Sequence, residues 1–392
     1  MNWVSEGKSG PEADRPHPTR PFLADRQAHK GHKLPRMLPG HRLAGGVGES
    51  TGGYAMLSKM PRPQPYTYYV LYTVVAEACG LDLRDVFLEP EKVAEAYRRL
   101  PEVWSERLWA AVGERFAVPV LQSTSYDHLS TLGVQVDWPR GGEPKPRALL
   151  RGPEDVEKLA NPARFLECGL PAERRRLWER LVAAWGEGLS PIPPGYGAEG
   201  PVTSAVLLAG QDFLTWPYDC PEAAHRLLEF CTRSAHAFQR EYFAELGTEF
   251  PVKVSWIFDD FAGMFPPALF REFVLPYWNL WYELAGCERR CVHTELLRPE
   301  HLPLLAEAKV DHFDPGVDQY LTPRDVVEKC PCAFQLRIPA WHVRGRPVEQ
   351  VVAEYRKLAE YEPVRIEFGM YGLEEEENFL GLLEVARERA GE

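Results

Sequence analysis

From residue 221 to the end, the chain alternates five times between a stretch with helical spacing and a short strand-like run. The helix-like stretch 221–246 precedes VKVSWIF (252–258), and 267–285 precedes RRCVH (289–293). The same order recurs as 299–308 before 310–314, 322–329 before 333–339, and 347–360 before 364–369, with a last helix closing the chain. Strands separated by helices cannot pair as hairpins. The helix carries the chain back across the sheet, and the strands run parallel. At 392 residues the first expectation is a closed (β/α)8 barrel, and an open doubly wound sheet is the second. No GxGxxG follows a strand to favour the open sheet.

The first half is less regular. Residues 1–65 are rich in Pro, Gly, His, Arg and Lys, with little apolar periodicity. They read as a poorly ordered N-terminal extension ahead of a barrel over 66–392. Helical spacing is expected over 66–78, 90–100 and 103–115, and a buried strand over FAVPVLQ (116–122).

Hydrophobic residues make up 45% and charged residues 26%, ordinary for a globular chain. The net charge of −12 argues against a nucleic-acid or anionic-membrane surface. No apolar run is long enough to span a bilayer. The N-terminus has charges but no apolar signal-peptide core, so a cytoplasmic protein is expected. The eight cysteines are scattered and read as reduced thiols. Cys330-Pro331-Cys332 is a close pair that lacks the second pair of a zinc ribbon, and it reads as a turn after a helix.

In a barrel of this kind, chemistry gathers at the C-terminal ends of the strands. The residues just after the expected strands are unusually polar. Tyr126 and Asp127 follow 116–122, and Asp259 and Asp260 follow 252–258. His293 and Glu295 close the next strand, Asp314 the one after it, and Trp341 and His342 follow 333–340. Each has a plainer reading. One of Asp259 and Asp260 can cap a helix, Asp314 can belong to a Pro-Gly turn, and His342 to a surface turn. His301 reads as an exposed helix start, and Glu374–Glu377 as a solvated acidic one. His293 and Glu295 stand at i and i+2, so on a strand both side chains share a face.

Several stretches resemble the uroporphyrinogen decarboxylase superfamily. They include GYGAEGPVTSAVLLAG (195–210), LGVQVDWP (132–139), RGPEDVEKLANP (151–162) and DDFAGMFPPALFREFVLPY (259–277). CVHTEL (291–296), VDQYLTPRD (317–325) and ENFLGLLEVARE (377–388) also fit. The resemblance covers roughly 70–390 and implies a (β/α)8 barrel.

Two branches of that superfamily differ in chemistry. True decarboxylases act on polycarboxylate tetrapyrroles without a cofactor. Leu207 and Phe368 stand here where that branch carries a tyrosine and a histidine. The corrinoid-dependent branch holds zinc through an HxC pair, which here is His293-Thr294-Glu295. That resemblance implies a methyltransferase in which His293 and Glu295 hold zinc, with a third ligand among Asp260, His342, Cys330 and Cys332. Met370 falls where the family cysteine would be.

In that reading Asp260 orients the substrate or a metal-bound water, and Asp127 holds a polar end of the substrate. Tyr126, Asp259, Asp314, Trp341 and His342 line the pocket. The substrate is small and methylated, and cobalamin comes on a separate partner protein. A tetrapyrrole decarboxylase, with Arg298 and Arg337 as nearest basic groups, is the alternative enzyme. A barrel that has lost catalysis and only binds a ligand is the third reading.

Overall fold

The computed structural model describes residues 65–392, except 187 and 249. The expected segment 1–65 therefore lies, apart from Pro65, outside the described residues. The described residues form eight strands: β1 (Tyr66–Val70), β2 (Val136–Asp137), β3 (Lys145–Pro146), β4 (Val254–Phe258), β5 (Arg289–His293), β6 (His312–Asp314), β7 (Ala333–Arg337) and β8 (Arg365–Met370). Six of them form one parallel sheet in the order β1-β8-β7-β6-β5-β4, while β2 and β3 form a small antiparallel pair. The fold is thus α/β with a six-stranded parallel half-barrel. A closed eight-strand ladder is not what the described residues form.

Proline explains the two missing strands. The expected strand 116–122 contains Pro119, and 191–200 begins Pro191-Ile192-Pro193-Pro194. Proline has no N–H to donate, so neither stretch can sustain a ladder. Isolated bonds take its place. Arg115 donates to the Tyr68 carbonyl, Ile192 N–H to Pro119 O at 3.2 Å, and Gly200 N–H to Phe258 O at 2.5 Å.

β1 is a correction to the sequence reading, which has a helix over 66–78. TyrThrTyrTyrVal alternates with period two rather than 3.6. Tyr66 and Tyr68 are buried on one face and stack against Phe368, with centroids 6.4 and 6.2 Å away. The helix itself begins at Tyr72 and ends at Gly80, whose positive φ makes the left-handed cap.

Other boundaries moved for similar local reasons. The stretch 267–285 is two helices, Pro267–Phe273 and Leu275–Ala285, because Pro276 cannot donate to the preceding turn. Over 299–308 only Leu304–Glu307 is helical, and His301 is buried rather than exposed. Its Nδ1 accepts from Arg298 N–H, and its Nε2 lies 2.8 Å from the Phe265 carbonyl. Glu375 is also buried: it accepts the Tyr371 N–H and pairs with Arg344. No helix among the described residues is long and apolar enough to cross a membrane.

The sheet has two different faces. Ile257, Val292, Phe313, Leu336, Ile366 and Phe368 point outward and are buried. Trp278, Trp281 and Tyr282 are fully buried with them in the helical layer. Removing a ring of this kind costs about 3–5 kcal/mol. The inner face sets polar groups beside aromatic rings: Tyr69, His293, His312, Asp314, Gln335, Arg337 and Glu367 share it with Trp256 and Phe258, which contact His312 and His293. Barrel interiors are normally filled with branched aliphatics. Here that space is given to charge.

Candidate functional site

Strand register builds the site. His293 of β5 lies beside Asp314 of β6, and Arg337 of β7 beside Glu367 of β8. His293, Asp314 and Arg337 are the last residues of their strands and Glu367 stands beside Arg337 inside β8, so their side chains form a row. His293 Nδ1 is 2.9 Å from Asp314 Oδ2, and His293 Nε2 is 3.3 Å from Asp260 Oδ1. Arg337 reaches Asp314 Oδ2 at 2.5 Å through Nη2 and Glu367 Oε1 at 2.8 Å through Nη1. Gly316 N–H adds a bond to Asp314 Oδ1 at 2.9 Å. The sequence Asp260, His293, Asp314, Arg337, Glu367 alternates in sign, and each of the two cations lies between two carboxylates.

The electrostatics follow from that order. Burial alone would lower the His293 pKa, but the charge of Asp314 and the bonds to Asp260 and Asp314 raise it to about 10. Burial alone would raise Asp314, but Arg337 and His293 hold it far below the usual carboxylate range. Glu199 behaves in the opposite way. Burial, and next the charge of Asp260, push it up to about 8, while a bond to Ser125 opposes them. Both influences favour the protonated form of Glu199. Glu295 is raised by burial and then by Asp260. Tyr126 is pushed to about 12, first by burial and then by the charges of Glu199, Glu143 and Asp260.

A close approach holds Glu295 in place. A Cβ on Gly263 would lie 2.4 Å from the Leu296 carbonyl carbon and 2.6 Å from Glu295 O. Only glycine lets the turn after β4 pack onto the backbone after β5. Glu295 Oε1 then accepts Val317 N–H at 3.2 Å.

The structure brings together Asp260, His293 and Asp314, with Glu295 and Tyr126 beside them. The remaining candidates lie elsewhere or act differently. Asp259 is fully buried, accepting Trp278 Nε1–H and Thr203 N–H, both at 2.7 Å. It bolts the helix Pro201–Ala209 to the helix Leu275–Ala285. Asp127 is also fully buried, 3.3 Å from Arg174 Nε, and accepts Gly197 N–H at 2.9 Å. That geometry makes it an internal clamp. His342 pairs with Glu354 at 2.6 Å, and Trp341 is 64% exposed. Pro339 starts a short helix at Ala340, which carries both away from the row.

Tyr69, Glu199 and Glu367 were missed as site residues. Tyr69 and Tyr371 bond hydroxyl to hydroxyl, and the charges of Glu367 and Arg337 act on Tyr69. Glu367 carried a legible signal, being a glutamate between Ile366 and Phe368 inside β8. Glu199 carried one too, as a carboxylate between Ala198 and Gly200 in an uncharged run.

The donors do not assemble the expected zinc site. Both nitrogens of the His293 ring already face carboxylates, Asp314 at 2.9 Å and Asp260 at 3.3 Å. Glu295 turns one oxygen to a backbone N–H. Among the described residues no group of three His, Cys, Asp or Glu side chains is arranged to hold a metal ion.

A parallel half-barrel with its polar groups at the C-terminal strand ends defines a barrel-type enzyme scaffold. The uroporphyrinogen decarboxylase (URO-D) family model matches residues 123–333, more than half of the chain, and the chain belongs to that family. Among solved structures, a methyltransferase from Methanosarcina mazei is similar, with a TM-score of 0.58 and 16% identity. The match covers 86% of this chain and 95% of that one, and at this identity it speaks for the fold. No curated protein matches the chain.

Proposed function

We propose that the protein is a methyltransferase-like enzyme of its superfamily. It takes a methyl group from a small neutral or cationic methylated compound and passes it to a corrinoid borne by a partner protein. One observation carries this reading over the decarboxylase alternative. Both cations of the row, His293 and Arg337, are already held between carboxylates. A tetrapyrrole with many acidic arms would meet Asp260, Glu295 and Glu367 instead of free guanidinium groups, and like charges at close range repel. A small donor without negative charge meets no such penalty. Family membership and the likeness to a methyltransferase fold agree with this choice.

The residues suit acid assistance. When a methyl group leaves a neutral oxygen, sulfur or nitrogen, the bonding pair stays on the heteroatom, which needs a proton to depart. Burial and the charge of Asp260 favour the protonated form of Glu199, and the His293 ring is held by Asp260 and Asp314. Glu199 is the proton donor in this proposal, and His293 fixes the orientation of Asp260 beside it. The electron pair for the new bond to carbon is the chemistry that a reduced corrinoid acceptor supplies. No step is routed through zinc.

The test is methyl transfer to free reduced cobalamin, followed by its visible spectrum, with methyl ethers, thioethers, methylamines and quaternary ammonium compounds as donors. At least one class should turn over, and for neutral donors Glu199→Gln should lower kcat by about 100-fold or more. Release of carbon dioxide from a tetrapyrrole would establish the decarboxylase instead. Tight binding without turnover of any donor would leave a binding barrel.

A further inference from the structure

The geometry points to a second chemical site at the opposite end of β7: a dithiol, Cys330 and Cys332, that closes reversibly into an intrachain disulfide. The two sulfurs are 3.6 Å apart and already in hydrogen-bond contact. Both residues are half-buried at the edge of the core. Their positions are set from two sides. Cys330 ends the helix Pro323–Lys329, with its N–H bonded to Val326 O, and Cys332 directly precedes β7. Pro331 between them fixes one backbone angle of the link.

Closing the bond needs the sulfurs to approach to about 2.0 Å, a displacement that a side-chain rotation on each residue supplies. Either sulfur can be the donor in their contact, so either can attack first, and the exchange balances in the same way with Cys330 attacking and Cys332 resolving.

The oxidant is a low-molecular-weight disulfide. The Cys330 thiolate attacks one of its sulfurs and expels one thiol, giving a mixed disulfide. The Cys332 sulfur then attacks Cys330 Sγ, expels the second thiol and loses its proton. Two protein thiols and one external disulfide become one protein disulfide and two external thiols. The reaction is independent of methyl transfer and stands whether or not that reading holds.

The test uses the full chain in glutathione buffers of graded redox ratio, quenched in acid and alkylated. Before alkylation, intact mass should fall by two hydrogens as the buffer becomes oxidising. Peptide mapping should show Cys330 and Cys332 losing alkylation together, while the other six thiols keep it. Returning the protein to reduced glutathione should restore both. Cys332→Ser should instead trap glutathione on Cys330. Full alkylation of all eight cysteines at the oxidising end would overturn the proposal. So would a lasting glutathione adduct on the unaltered chain, or protection of a different pair.

Discussion

Replacing Asp314 with alanine tests the alternating row most directly. In the folded protein this carboxylate is 3% exposed and takes bonds from His293, Arg337 and the Gly316 N–H. Its loss leaves His293 with Asp260 alone and Arg337 with Glu367 alone. Removing one partner of a buried ion pair costs about 3–5 kcal/mol, and the remaining partners favour the lower end. With an unfolding entropy of about 2.1 cal/mol/K per residue, roughly 330 ordered residues give about 0.7 kcal/mol/K. A loss of about 3 kcal/mol then lowers Tm by about 4 °C.

The variant also has a pH signature. His293 rises from 6.5 to about 10 on folding, so the folded state binds its proton more tightly. Its contribution is complete below pH 6.5 and is lost as pH climbs to about 10. Asp314→Ala should shrink that window and move the His293 ring titration, followed by NMR, toward the ordinary histidine range. A melting point within 1 °C of the parent, together with an unmoved His293 titration, would refute the reasoning.

Three further outcomes are expected. Glu199 rises from 4.5 to about 8 on folding, so the parent should lose more stability as pH increases across that interval than Glu199→Gln, which keeps only the part due to His293. Urea unfolding at pH 5 and pH 9 measures this, and equal slopes for both proteins would count against a buried neutral Glu199. Gly263→Ala should cost about 1–3 kcal/mol by thermal melting, because the new Cβ meets backbone rather than a movable side chain. Equilibrium dialysis against zinc under reducing conditions should retain well under one ion per chain. Near one zinc per chain, lost in His293→Ala with Glu295→Ala, would restore a zinc-assisted mechanism.

The last five strands are legible because each follows a stretch with helical spacing, and three of them end in a polar residue. β1 was not, because its tyrosines are apolar enough to satisfy either period and only the stacking on Phe368 selects the strand. At the site, His293, Asp260 and Asp314 were found by the rule that chemistry follows strand ends. The same rule misplaced Trp341 and His342, because a proline turns the chain before it can line the interior. Asp127 looked catalytic by position, yet its meaning depends on Arg174, 47 residues away and invisible to local pattern. Glu199 needed the converse insight, that a stretch too rich in proline to be a strand can still present a side chain to the centre. The metal expectation rested on residue types, and the row of paired charges depends on cross-strand register.

The proline-bearing stretches also bear on how the wall breathes. Between β8 and β4 every neighbour is joined by a continuous ladder, whereas 116–122 and 191–200 are joined by single bonds. Amide exchange should therefore be slowest under the charged row and fastest along this seam, where no cooperative zipper has to open. Glu199 sits at the end of the seam, beside the single bond from Gly200 to Phe258. The group that carries the proton is thus mounted on the most yielding panel of the wall, opposite a rigid frame of ion pairs.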